Sequence, residues 1–129
     1  MRNTSDVSPK ALSDAEREER LLSTGGLAAR MRRAVIGTDQ VCEALRLGQV
    51  CIVLEASDTS ENTKKRLSDK ALYYGVPLYR LSADCETLAR AFGKRSGSVA
   101  AVGIIDSGIV KAMKKYLPQD FCDSVGETI

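Results

Sequence analysis

Two stretches of the chain, residues 50–54 and 99–105, are apolar without any alternation. Continuous apolar runs of this length read as strands buried on both faces of a sheet. Between and around them, apolar residues recur at helical spacing. Val41, Ala44 and Leu45 form one stripe, and Leu67, Ala71 and Tyr74 a second. Cys85, Leu88, Ala89 and Phe92 form a third at i, i+3, i+4 and i+7, and Ile109, Met113 and Tyr116 a fourth.

Punctuation residues bound these elements. Ser13-Asp14-Ala15-Glu16 has the form of a capping box and predicts a first helix running toward Met31. Gly25-Gly26 lies in its middle, at a cost of about 1 kcal/mol per glycine against alanine. Either that turn packs closely on a neighbour or the helix breaks there. Ala34-Val35-Ile36 is long enough only for a short strand. Gly37-Thr38 opens the second helix, with Thr38 as N-cap and Asp39 in the positive first turn, and Gly48 stops it. Asp58-Thr59-Ser60-Glu61 caps the third helix and Gly75 ends it. Residues 78–81 read as a strand whose preceding Pro77 marks a strand start or a sheet edge. Residues 84–92 form the fourth helix, ended by Gly93. Asp106-Ser107 caps the last helix and Pro118 stops it. The order α-β-α-β-α-β-α-β-α, with apolar central strands, predicts an α/β fold. The expected form is a three-layer α/β/α sandwich around a roughly four-stranded mixed sheet. One domain is expected over residues 13–117, between a loose polar tail at 1–12 and a second tail at 118–129.

Composition narrows the function classes. No apolar run approaches the roughly 18 residues of a membrane span. The first ten residues are polar and hold no signal-peptide core, so a cytoplasmic location is expected. Cys42, Cys51, Cys85 and Cys122 are scattered, and histidine is absent. Buried free thiols are therefore expected rather than a zinc site, and no metal or cofactor. The missing histidine also removes the usual general base. There is no phosphate-binding P-loop, dinucleotide fingerprint, nucleophile elbow or H-E-x-x-H. Glu55 with Asp58 is a pairing common at helix caps, so an enzyme is not expected. Net charge is only +2, but it is unevenly spread. Residues 1–24 hold four basic and five acidic side chains, and residues 118–129 three acidic and no basic. The middle keeps 15 basic against 9 acidic, a distribution compatible with a polyanion partner.

Chemistry concentrates at strand-to-helix junctions. Residues 37–40 and 56–60 both lead into helices, whose N-termini offer free N–H groups to phosphates. If the preceding strands run parallel, both junctions open at one sheet edge. Thr38, Asp39, Gln40, Ser60 and Asn62 are short or polar enough to read bases or sugars there. Lys64, Lys65, Lys94 and Arg95 add positive charge. The plain alternative is that these residues cap helices and solvate the surface.

Several stretches resemble one family. They are Gly26-Leu27-Ala28-Ala29-Arg30, the strand-loop-helix from Leu54-Glu55-Ala56-Ser57-Asp58 to Lys64-Lys65, Tyr73-Tyr74-Gly75-Val76-Pro77, and Leu88-Ala89-Arg90-Ala91-Phe92-Gly93-Lys94. Over residues 21–117 the chain is similar to the kink-turn-binding ribosomal-protein family, in its bacterial YlxQ-like branch. The resemblance implies binding of structured RNA, ribosomal or another kink-turn, in a ribosome- or translation-linked setting. The family reads the sheared G·A pairs of a kink-turn with Gly-x-Asn-Glu-x-x-Lys at the start of its second helix. This chain has Gly37-Thr38-Asp39-Gln40-Val41-Cys42-Glu43 there. Glycine is kept, asparagine becomes Asp39, glutamate Gln40 and lysine Glu43. Two carboxylates, spaced i, i+4, would then oppose a polyanion. The resemblance also implies contacts from the start of the third helix and from the loop at residues 94–100, whose small side chains admit an unstacked base. The RNA-facing residues it implies are Arg33, Gly37, Thr38, Asp39, Gln40, Glu43, Ser60, Lys64, Lys94, Arg95, Val99 and Ala100. The altered motif also permits a second reading, a protein-interaction or assembly module that keeps the fold and has lost kink-turn recognition.

Overall fold

The computed structural model describes residues 13–94 and 97–117. The expectations for both tails, for the stop at Pro118, and for Arg95 and Cys122 lie outside the described residues. Nine elements follow in the order α1 (Asp14–Arg30), β1 (Ala34–Ile36), α2 (Thr38–Arg46), β2 (Ile52–Glu55), α3 (Glu61–Tyr74), β3 (Leu78–Arg80), α4 (Cys85–Ala91), β4 (Ala101–Ile104) and α5 (Ser107–Lys114). The sheet order is β1-β4-β2-β3. β4 runs antiparallel to both neighbours, while β2 and β3 are parallel. The sheet is therefore mixed and four-stranded, as the sequence predicts.

The two apolar runs are the central strands, and all eight residues of β2 and β4 are buried. The strands are shorter than the runs. Val50 and Val99 lie just outside them, yet both are buried. Side chains alternate between two cores. Ile52, Leu54, Val102 and Ile104 pack on one face with Leu21, Leu88, Phe92 and Met113, from α1, α4 and α5. Val53 and Ala101 pack on the other with Val41, Leu45 and Leu67, from α2 and α3. These are the three layers.

Helix α1 is unbroken through its glycine pair. A Cβ at Gly26 would stand 2.8 Å from the Ala91 carbonyl oxygen, and one at Gly25 3.0 Å from Phe92 Cζ. The pair exists so that α1 can lie against α4. The capping box at Ser13 and Glu16 forms as expected. Four details differ from the sequence reading. Gly37, not Thr38, is the N-cap of α2; with φ 107° it holds the non-helical turn, and Thr38 becomes the first helical residue. Ser60 alone caps α3, by accepting from Thr63 N. Val110 joins Met113 on the inner face of α5, while Ile109 and Tyr116 are half-buried. Among the cysteines, Cys42 is buried, but Cys51 and Cys85 are only partly so, because both sit at element ends.

Candidate nucleic-acid interface

Strand direction decides what gathers at each edge of the sheet. β1 and β2 both oppose β4, and β3 parallels β2. Residues 37–40, 56–60 and 81–84 therefore leave the sheet where β4 enters it, and four segments converge on one edge. Backbone bonds lash them together. Gly37 N donates to Ala101 O at 2.9 Å, Ala56 N to Ala100 O at 2.8 Å, and Ser57 N to Ala83 O at 2.8 Å. The buried Thr59 hydroxyl donates to Ala56 O at 2.9 Å and lies 3.4 Å from Ala100 O. Glu18 of α1 accepts from Ser82 N and Ala83 N, each at 2.8 Å. Asp58 accepts from Cys85 N at 2.8 Å and so holds the start of α4 rather than capping its own helix. The edge is a preformed platform.

On it stand the N-termini of α2 and α3. Gly37 makes the first turn possible, since only glycine takes its φ without strain. A Cβ there would also lie 2.8 Å from Gln40 Oε1, so the Gln40 side chain folds back over the glycine. Thr38 is half-buried beside it, and Ser60 is exposed at the head of α3. Lys64 follows one turn later, 3.8 Å from Glu61. Val99 is buried and Ala100 half-buried just before β4, and Lys94 is exposed on the approach to that segment.

Two features depart from the sequence reading. Arg33 is not brought to this edge. It precedes β1 at the opposite end of the sheet, where its guanidinium lies 3.8 Å from Asp106. The carboxylates of the altered motif are also not left bare. Arg66 of α3 holds Asp39, Nη1 to Oδ1, at 2.9 Å. Arg46 grips Glu43 through both oxygens, one of the contacts being Nε to Oε1 at 3.2 Å. The Arg46 hydrogen bond holds the Glu43 carboxyl below its usual range, and Asp39 raises the Arg66 guanidinium. Arg46 was legible at i, i+3 from Glu43. Arg66 is not legible in the sequence, because only the fold brings Asp39 to it; Thr59 bonds Ala56 O three residues back, and only its approach to Ala100 O needs the fold.

The edge offers no activated nucleophile in Cys85. Burial first, and then the Asp58 hydrogen bond, push its thiol up to about 11. Among the described residues, no three His, Cys, Asp or Glu side chains gather as a metal site.

Comparison with known proteins fits this arrangement. Residues 19–114 match the model of the ribosomal protein L7Ae/L30e/S12e/Gadd45 family. The chain belongs to that family. Relatives include the RNA-binding protein YlxQ of Enterococcus faecium, 35% identical over 92 residues, covering 71% of this chain and 85% of that protein. YlxQ of Bacillus subtilis is 40% identical over 77 residues, covering 60% and 76%. A solved Bacillus halodurans protein of unknown function superposes with a TM-score of 0.68 at 35% identity, covering 74% of this chain and 94% of its own. The Giardia lamblia 15.5kD RNA binding protein shares the L7Ae-type fold with a TM-score of 0.68 at 16% identity, over 88% and 91%.

Proposed function

We propose that this chain binds structured RNA, a kink-turn or a similar internal loop, through the edge formed by residues 37–40, 56–60 and 97–100. One observation carries the reading: the N-termini of α2 and α3 and the segment before β4 are fixed to one another by hydrogen bonds from Gly37, Ala56 and Thr59. Preformed N–H donors beside small side chains suit a sharply bent RNA, whose phosphates crowd together and whose unstacked bases need a shallow seat. Two YlxQ relatives named as RNA-binding proteins support the reading. The setting we assign is ribosome- or translation-linked, in a bacterial cytoplasm, with no catalytic step.

A protein-assembly role is the second reading. It is favoured by Leu72 and Tyr73 on the outer surface of α3, which are 83% and 80% exposed. The deciding experiment is a titration of the chain with a kink-turn RNA and with the same RNA after its sheared G·A pairs are replaced by Watson–Crick pairs. The RNA reading expects clear preference for the first. Equal, weak affinity for both favours the assembly module.

A further inference from the structure

Helices α1 to α4 close alike at their C-termini, and α1 differs in one residue. Gln49 N donates to Ala44 O behind α2, Val76 N to Ala71 O behind α3, and Lys94 N to Ala89 O behind α4. Each closure turns on a glycine at positive φ: Gly48, Gly75 and Gly93. Helix α1 closes in the same way, Arg33 N to Ala28 O at 2.6 Å, but the residue in the turn is Arg32, with φ 60°. It is the one non-glycine at positive φ among the described residues. Glycine takes that conformation without strain, and a residue with a side chain does not. The chain thus holds an arginine where its other helices use glycine.

Arg32 does not stand alone. Arg30, Arg32 and Arg33 are all exposed. Arg30 and Arg32 form no ion pair among the described residues, and Arg33 lies 3.8 Å from Asp106. Asp106 is already in use, because its Oδ1 accepts from Gly108 N and Ile109 N at the head of α5. The other turns at this end of the sheet, residues 47–51 and 75–77, carry no charged side chain. Three guanidiniums therefore face solvent beside one carboxylate. Cations at a helix C-terminus offset the helix dipole, and Arg30 does so from inside the last turn, without strain. The dipole does not account for an arginine in the strained turn itself. A guanidinium offers a planar fork of donors that meets phosphate oxygens two at a time. Three of them within four residues suit successive phosphates of one strand.

We infer that Arg30, Arg32 and Arg33 form a second RNA contact, at the end of the sheet away from the platform, which takes the phosphate backbone of a duplex irrespective of its sequence. This contact goes beyond the platform reading and needs no base recognition. With it the chain holds RNA at both ends of its sheet and bridges two segments.

The test is fluorescence anisotropy on the full chain with a labelled plain RNA duplex of roughly 16 base pairs, titrated at several salt concentrations, alone and after saturation with unlabelled kink-turn RNA. The natural chain should bind the duplex in both conditions. Combining Arg30→Gln, Arg32→Gly and Arg33→Gln should weaken duplex binding about tenfold or more at low salt and flatten the log–log salt slope by about two to three. That variant should lose the duplex altogether once the platform is saturated, and its preference for the kink-turn over the Watson–Crick counterpart should not fall. Arg32→Gly alone should flatten the slope by about one and raise the melting temperature by a few degrees, so its effect on RNA is not one of unfolding. An Arg32→Gly chain that melts higher and binds the duplex as before removes Arg32 from the contact and overturns the inference. So does a triple variant with unchanged affinity and slope, whether or not the kink-turn is preferred. Labelled poly-glutamate that binds as tightly as the duplex, and is lost in the same variants, would make the partner an acidic protein instead. A natural chain that binds kink-turn and Watson–Crick RNA alike, through these arginines, overturns the platform reading and leaves this contact standing.

Discussion

The carboxylate of Glu55 is wholly buried at the end of β2, and Arg80, its register partner at the end of β3, donates Nε to its Oε2 at 3.3 Å. The other oxygen has no hydrogen-bond partner among the described residues. Arg80 is itself braced by the Ser68 hydroxyl at 3.0 Å. The carboxylate therefore depends on one guanidinium. Arg80→Met should destabilise the fold by about 2–3 kcal/mol, below the roughly 3–5 kcal/mol of a fully buried pair because Arg80 is 55% exposed. Replacing both residues by methionine should be close to neutral. Urea denaturation of the two variants measures the difference, and an Arg80→Met chain as stable as the natural one would mean that water already reaches the carboxylate.

The glycine pair of α1 separates two kinds of close approach. At Gly26 an added methyl meets backbone, the Ala91 carbonyl, at 2.8 Å; at Gly25 it meets the far end of the Phe92 ring at 3.0 Å. A ring can tilt, whereas α4 must move as a body. Alanine also gains about 1 kcal/mol of helix propensity at either site. Gly25→Ala should be near neutral, and Gly26→Ala should lose about 1–3 kcal/mol net. Denaturation midpoints that reverse this order would place the tight contact elsewhere.

Cys85 should be a slow nucleophile. With its thiol pushed up to about 11, only about a thousandth is thiolate at pH 8, against about a tenth or more for an ordinary thiol. Alkylation by iodoacetamide, followed site by site in the mass spectrum, should run about a hundredfold slower than at an exposed cysteine. Burial is the larger cause and Asp58 the next, so Asp58→Asn should speed the reaction only in part.

The charges of the edge predict a salt signature. Glu43→Lys frees Arg46 and changes the local charge by two. It should tighten binding to kink-turn and Watson–Crick RNA alike and steepen the log–log salt slope by about one to two. Lys94→Ala should flatten the slope by up to about one. Titrations from low to moderate salt read both. A gain from Glu43→Lys confined to the kink-turn would make position 43 a base reader rather than a source of charge.

Residues 50–54 and 99–105 announced buried strands because nothing polar interrupts them, and the helices followed from stripes and caps. The N-cap of α2 slipped by one residue. A threonine is visible as a good cap, but the backbone freedom of Gly37 is what the chain uses. Arg33 stands close to Gly37 in sequence yet lies at the other edge, because a strand has two ends. The three residues of β1, at about 3.3 Å each, carry the chain from Asp106 at one end to the platform at the other. Arg66 lies 27 residues from Asp39 in sequence, a separation at which no periodicity signals a pair. Gly25-Gly26 is compatible in sequence with a break or with a close neighbour, and Ala91 and Phe92 are that neighbour.

The reversal of β4 between β1 and β2 also gives the molecule a second pole, away from the platform. Residues 47–50 and 75–77 turn at the end of the sheet away from the platform, and nothing stands within 4 Å of a Cβ built at Gly48 or Gly75, although both keep a positive φ that favours glycine. The turn at Gly48, on the far side of the molecule from residues 37–40 and 56–60, is therefore a place to insert a fluorophore or a tether beside the retained glycine, where cargo would ride on the protein's back and leave the platform uncovered.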